Sequence, residues 1–219
     1  MAKAYKGIGM EGVIASWYAR NTRGESRGYA KVARAVAEQL PNGARVLELA
    51  PGPGYLAIEL AKLGRLRVSG LDISRSFVRM AAENARAAGV EIDLQWGDAA
   101  HMPFASGAFD FVICRAAFKN FSDPLGALQE IHRVLAPGGR ASIFDLRRDA
   151  SREAIEGEIA AMQLSPLNRW LTRWIFRHVL LKRAYGDEDL ERMCAQSRFG
   201  RGEIRDDGIG FELRLARQG

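Results

Sequence analysis

Cysteine and histidine are both scarce in this 219-residue chain, with two of the first and three of the second. Cys114 and Cys194 form no CxxC pair and fit no zinc spacing, and His101, His132 and His178 are scattered, so no metal site is expected. Cys114 closes an apolar run, which predicts a buried, reduced thiol. Long apolar runs are missing as well: none reaches the roughly 18 residues of a membrane-spanning helix. The opening Met1-Ala2-Lys3-Ala4-Tyr5-Lys6-Gly7 lacks the apolar stretch of a secretory signal, and a cytoplasmic protein is expected. There is no internal repeat and no low-complexity tract. The net charge of +6 is modest, and solubility alone accounts for it.

What the chain does have is 47% apolar residues, enough for an α/β domain with a substantial core. The hydrophobic pattern alternates strands and helices. Strands are expected at 45–49, 67–71, 91–96, 109–114 and 140–146, and helices at 54–63, 75–88 and 124–135. Asp123-Pro124 supplies an N-cap followed by proline at the first helical position. Pro137-Gly138-Gly139 reads as a turn before the fifth strand. Such alternation implies a mainly parallel sheet covered on both faces. Helices are expected over 11–40 and most of 151–183, another over 187–197, and then two short strands near 199–205 and 209–216 around Asp207-Gly208, a hairpin signal.

The first strand runs into Glu48-Leu49-Ala50-Pro51-Gly52-Pro53-Gly54. Glycines there let the backbone turn sharply, and the following helix offers unpaired N–H groups. This suits a nucleoside-bearing cofactor at the carboxyl end of a parallel sheet. Gly52, Gly54 and Ala57, with Asp72 downstream, also fit the dinucleotide fingerprint, so a nicotinamide-dependent oxidoreductase is a competing reading. Glu48 argues against it: a carboxylate is awkward beside a pyrophosphate and suits a cofactor carrying a sulfonium and an ammonium. Gly97-Asp98-Ala99 places another carboxylate at the same sheet edge, able to accept from an adenine amino group.

The segments ELAPGPG, GLDIS, GDA, FDFV and RVLAPGGR stand in an order and spacing that resemble class I S-adenosylmethionine-dependent methyltransferases, over Arg45 to Leu146. Phe118-Lys119-Asn120-Phe121-Ser122-Asp123 and Glu130-Ile131-His132-Arg133-Val134-Leu135 look like the ubiquinone and menaquinone C-methyltransferases. Lys182-Arg183-Ala184-Tyr185 departs from that quinone pattern. The resemblance implies a Rossmann-like, doubly wound, seven-stranded sheet in the order 3-2-1-4-5-7-6, its last strand antiparallel. It implies a division into an N-terminal helical cap (1–40), a cofactor-binding core (41–146), a helical substrate cap (147–186) and a final helix and strand pair (187–219).

The cofactor implied is S-adenosyl-L-methionine. Glu48, Ala50, Gly52 and Gly54 would line its methionine and ribose, and Asp72 would take the ribose hydroxyls. Ile73 would pack on the adenine, Asp98 and Ala99 would read its edge, and Cys114 and Arg115 would sit under the transferred methyl. Ala50 stands where the family usually has its first glycine. Methyl transfer to a small organic acceptor, by O- or C-methylation, is the activity expected. The alternatives are the oxidoreductase and a cofactor-binding module without catalysis. Nucleic acid is not an expected partner: Cys114-Arg115-Ala116-Ala117 stands where amino-methylating enzymes of DNA and RNA carry an Asn/Asp-Pro-Pro-aromatic turn.

His178, Arg115 and Tyr18 are the candidates for a catalytic group, and Trp17, Arg20 and Tyr29 are candidates to shape the acceptor pocket. Ser165-Pro166 opens a helix with Leu167, Trp170, Leu171, Trp174, Ile175 and His178 on one face and Arg169, Arg173 and Arg177 beside it. This is either a lid, with Trp170 or Trp174 facing the acceptor, or a basic amphipathic helix over 165–183 lying on an anionic membrane.

Overall fold

The computed structural model describes residues 6, 11, 12, 15, 16, 19, 26–161, 170, 173, 174 and 181–219. Seven strands form one sheet in the order β3-β2-β1-β4-β5-β7-β6. They are β1 (Arg45–Leu49), β2 (Arg67–Asp72), β3 (Asp93–Trp96), β4 (Phe109–Arg115), β5 (Leu135–Leu146), β6 (Glu203–Asp207) and β7 (Gly210–Ala216). Pairing is parallel from β3 through β5, while β7 runs antiparallel to both β5 and β6. The strand order and the reversed last strand are those the sequence led us to expect.

Side chains alternate across this sheet and so build two cores. Leu47, Leu49, Val112, Cys114, Ile143 and Phe211 face one layer. There they meet Leu128, Ile131 and Val134 of α4 (Pro124–Val134) and Leu190 and Cys194 of α6 (Asp187–Gln196). Val46, Val68, Phe111 and Ile113 face the other layer. They meet Ala33 and Val36 of α1 (Ser26–Glu38) and Leu56 and Leu60 of α2 (Tyr55–Lys62). α3 (Arg75–Ala87) follows β2, and α5 (Arg152–Ala161) follows β5.

Helix starts follow local chemistry. Asp123 accepts from the Gly126 N–H at 2.8 Å with Pro124 in the first turn, as its sequence signal predicts. Ser74 accepts from the Phe77 N–H at 3.1 Å and starts α3. The sixth strand spans Glu203–Asp207 rather than 199–205, the third begins at Asp93 rather than at 91, and the start of the fifth also differs from expectation. Pro137-Gly138-Gly139 is not a turn ahead of the fifth strand but lies inside β5, which begins at Leu135. The register steps from Phe109 opposite Leu135 to Phe111 opposite Arg140, so β5 carries three more residues than β4 between these pairs and loops out of the ladder there, with Gly138 at φ 77°. Tertiary pairing holds it: Gly138 donates to the Arg217 carbonyl at 3.0 Å, and Arg217 donates back to Gly139 at 2.9 Å.

Between the far ends of β4 and β5 lies a buried ion pair. Lys119, in the 3₁₀ turn Phe118–Asn120, places Nζ 2.7 Å from Oδ1 of Asp145 and 2.9 Å from the Ala116 carbonyl. The Lys119 N–H donates to the other carboxylate oxygen at 2.8 Å. Both side chains are almost wholly out of water. Removing one partner leaves an uncompensated buried charge, so Lys119→Ala is expected to cost about 3–5 kcal/mol of stability. The double variant Lys119→Met/Asp145→Leu should recover most of that loss. Urea denaturation of both proteins checks this; a single-variant cost below about 1 kcal/mol means the pair does not hold this corner.

Candidate functional site

The carboxyl edge of the parallel strands is organised around Asp72, the last residue of β2. Its carboxylate is buried and accepts from the Gly52 N–H at 3.0 Å and the Ser74 N–H at 2.8 Å. Its backbone carbonyl accepts from the Gly97 N–H at 3.0 Å. One residue thus ties the glycine loop after β1, the start of α3 and the turn after β3. Burial raises the Asp72 carboxyl to about 6; the Ser74 and Gly52 N–H groups pull the other way, and the nearby Glu11 charge adds to the rise.

Glu48 lies one strand over, with 4% of its surface exposed. Burial pushes its carboxyl up to about 8, opposed by the Ala57 N–H at the start of α2 and by the Arg115 cation, and reinforced by Asp72. Its Oε2 is buried with no hydrogen-bond partner, an open acceptor. Arg115, the last residue of β4, is half-buried. Its guanidinium stands 5.6 Å from the ring centre of Tyr29 and 5.9 Å from that of Phe144. Glu48 and Arg115 therefore share the α1–α2 face of the sheet. Cys114 is on the opposite face, fully buried, with burial driving its thiol far above the ordinary value. Cys114 and Arg115 were expected to sit together beneath one group; strand alternation points their side chains to opposite layers.

The loop backbone is strained at two alanines. Ala50 (φ 52°) and Ala116 (φ 56°) are the non-glycine residues with positive φ among those described. They follow the ends of β1 and β4, side by side in the sheet. Gly52 and Gly54 share the left-handed conformation at the natural residue type. Gly54 has a packing reason too, since a Cβ there would come within 2.9 Å of the Ala81 methyl.

Asp98 lies beyond β3, half-buried, with Oδ1 accepting from the Ala100 N–H at 3.0 Å and Oδ2 3.9 Å from the exposed His101 ring. Trp96 beside it donates to the Ile73 carbonyl at 2.9 Å, and the Arg75 guanidinium lies over its ring at 3.9 Å. Residues of the N-terminal segment reach this edge as well. The Glu11 carboxylate accepts from the Arg75 and Ser76 N–H groups at 2.9 and 3.1 Å and from the Ser76 hydroxyl, capping α3 from outside. The Tyr55 hydroxyl donates to the Ala19 carbonyl at 2.9 Å.

Glu11, Lys119 and Asp145 were not singled out from the sequence. A lone lysine and a lone aspartate inside the apolar stretches AAFKNF and SIFDL were the available signal for the pair. Tyr18, His178, Trp17 and Arg20 lie outside the described residues. Trp170 and Trp174 are 60% and 47% exposed. Among the described residues no cluster of His, Cys, Asp or Glu could hold a metal ion.

Residues 47–143 match the family model described as a methyltransferase domain. A demethylmenaquinone methyltransferase of Thermus thermophilus is 40% identical over 102 residues, 46% of this chain and 46% of that protein. A 2-phytyl-1,4-naphtoquinone methyltransferase of Synechococcus elongatus is 39% identical over 113 residues, 50% of this chain and 48% of that protein. The chain thus spans about half the length of these curated relatives. A crystal structure from Methanococcus maripaludis, described as a candidate S-adenosyl-L-methionine-dependent methyltransferase, superposes with a TM-score of 0.77 at 19% identity. That superposition covers 100% of this chain and 98% of that one, and it establishes the shared fold.

Two expectations follow from the geometry. Because the folded Glu48 carboxyl titrates near 8 rather than at its ordinary 4.5, its contribution is fully present below the ordinary value and lost as pH rises towards 8. In urea denaturation the ligand-free protein and Glu48→Gln should match near pH 5 and diverge by pH 9, with the native protein the less stable; parallel curves would contradict this. Ala50→Gly should relieve left-handed strain of about 1–2 kcal/mol, partly offset by chain entropy of about 0.4–1 kcal/mol, and so raise the melting temperature slightly.

Proposed function

We propose that the chain, whose residues 47–143 match the methyltransferase-domain family model, transfers a methyl group from S-adenosyl-L-methionine to a small, hydrophobic, ring-bearing organic acceptor. The observation that carries this is Glu48. A buried carboxyl with an unpartnered oxygen, at the end of β1, is complementary to an ammonium and opposed to a pyrophosphate. A nicotinamide dinucleotide would bring its diphosphate to this loop. The residues present therefore fit the sulfonium cofactor and disfavour the dinucleotide.

In this reading Glu48 binds the ammonium of the cofactor, and the backbone at Ala50, Gly52 and Gly54 lets the ligand approach closely. A carboxylate has about four lone-pair sites, so Asp72 keeps acceptors for ribose hydroxyls while still holding the Gly52 and Ser74 N–H groups. Ile73 packs against the adenine, and Asp98 with Ala99 meets its edge. Cys114 contributes backbone only, because its side chain faces the other layer. Arg115 remains the candidate at the reacting end, as a fixed cation near the acceptor. The bound cofactor supplies a methyl group on a sulfonium, a strong leaving group, which leaves alignment and water exclusion to the protein. The names of the two relatives support an acceptor of the quinone class, and C-methylation of such a ring is the form of the reaction we favour.

Calorimetric titration tests the cofactor assignment. S-adenosylhomocysteine is expected to bind and NADH is not. Asp72→Ala should weaken the first on the order of 10- to 100-fold, the loss of charge-assisted hydrogen bonds. Tight NADH binding would overturn the reading, and unchanged S-adenosylhomocysteine affinity in the variant would remove Asp72 from it.

A further inference from the structure

With one exception, the half-buried arginines among the described residues meet an acceptor within the chain. Arg45, Arg133, Arg147, Arg173 and Arg214 each hold a carboxylate, and Arg65 and Arg217 hold backbone carbonyls. The exception is Arg115, which joins no hydrogen bond or ion pair among these residues. Its neighbours are rings. Phe144 stands beside it in the β4–β5 register, with its ring centre 5.9 Å from the guanidinium, and Tyr29 of α1 approaches to 5.6 Å. Tyr55, the first residue of α2, lies 6.0 Å from Tyr29, ring centre to ring centre. All three rings are only partly buried. Leu49 pairs with Cys114, so Arg115 is level with Ala50, where the glycine loop begins. The carboxyl that feels its charge is Glu48, but burial pushes that group up to about 8, so at neutral pH it is mostly protonated and does not neutralise the guanidinium.

A guanidinium drawn partly out of water without a counter-ion is costly, and it binds an incoming anion correspondingly well. The rings around it set the shape of what fits, because a guanidinium plane and an aromatic face both favour a planar partner. On the methyl-transfer reading of this edge, we propose that Arg115 determines specificity for an acidic acceptor: a planar ring whose ionised oxygen, an enolate or phenolate, bonds to the guanidinium while the ring packs against Tyr29 and Phe144. Such an oxygen feeds electron density to the ring carbon beside it, the kind of carbon that accepts a methyl group from a sulfonium. A neutral ring of the same shape lacks the charge-assisted bonds and binds more weakly.

The test compares two probes of nearly one shape: lawsone, a hydroxynaphthoquinone that is an enolate at neutral pH, and its methyl ether, which cannot ionise. Calorimetric titration of the full chain near neutral pH, without cofactor and again with saturating S-adenosylhomocysteine, gives an affinity ratio for each protein. The native ratio is expected to favour the enolate at least about 10-fold. Arg115→Gln should abolish the preference, while Arg115→Lys, which keeps the charge, should retain a smaller one. Tyr29→Leu should weaken both probes alike and leave the ratio unchanged, which separates ring packing from charge. The proposal is overturned if native protein binds both probes equally or neither, or if Arg115→Gln keeps the preference. A loss of S-adenosylhomocysteine affinity in that variant with the ratio intact would assign the arginine to the cofactor's own carboxylate instead. Because the ratio is also read without cofactor, its failure leaves the methyl-transfer reading standing, whereas tight NADH binding would remove that reading and leave the ratio as it was.

Discussion

The carboxylate of Asp72 is the tie on which the carboxyl edge depends. An open parallel sheet ends in loops that have no strand partners, and their N–H groups must be satisfied some other way. Asp72 answers for three of these loops at once: two through its side-chain oxygens and one through its carbonyl. The glycine loop keeps its left-handed path because Gly52 is bonded from beneath, while Ala50 donates to the Leu71 carbonyl at 2.8 Å. Glu11 then closes over the start of α3 from the outside. The framework around the proposed adenosine position is held by hydrogen bonds within the chain itself.

A second constraint is electrostatic. The two buried acids resist ionisation chiefly through burial, with Asp72 adding to the rise at Glu48 and Glu11 adding to the rise at Asp72. Arg115 offsets part of this on the Glu48 side, and the Lys119–Asp145 pair fixes the strand ends beneath. A cationic ligand relieves the arrangement and an anionic one aggravates it. In the proposed function, selectivity between sulfonium and diphosphate cofactors would rest on this unfavourable charge placement as much as on the contacts a ligand would make.

How far these features could be read from the chain varies with the distance over which each is decided. The Asp123-Pro124 cap and the strand Arg45–Leu49 are set by neighbours a few residues away, and both appear at their expected positions. The carboxylates Glu48 and Asp72 were legible because strand ends place them at one edge. The early start of β5 was not, because Pro137-Gly138-Gly139 has turn chemistry and becomes strand only through Phe109 and Arg217. Lys119 and Asp145 are 26 residues apart, and nothing local announces that they meet. Alternation along β4 could have separated Cys114 from Arg115, since neighbouring residues on a strand cannot face the same layer. The glycine absent at Ala50 was visible as a departure; its cost became visible only as a backbone angle.

Among the described residues the sheet ends at β3 and β6, and the β6 edge is defended by charge. Four of its five residues, Glu203, Arg205, Asp206 and Asp207, are ionisable, and the strand is exposed along most of its length. Charges of this kind keep a strand from serving as a template for another molecule's strand. Two of the carboxylates are held in ion pairs, Asp206 with Arg147 and Glu203 with Arg205, so the charges along this edge are fixed in place. The sheet therefore closes on a strand that resists borrowing by a neighbouring molecule, three positions along the sheet from β4 and the proposed reacting end.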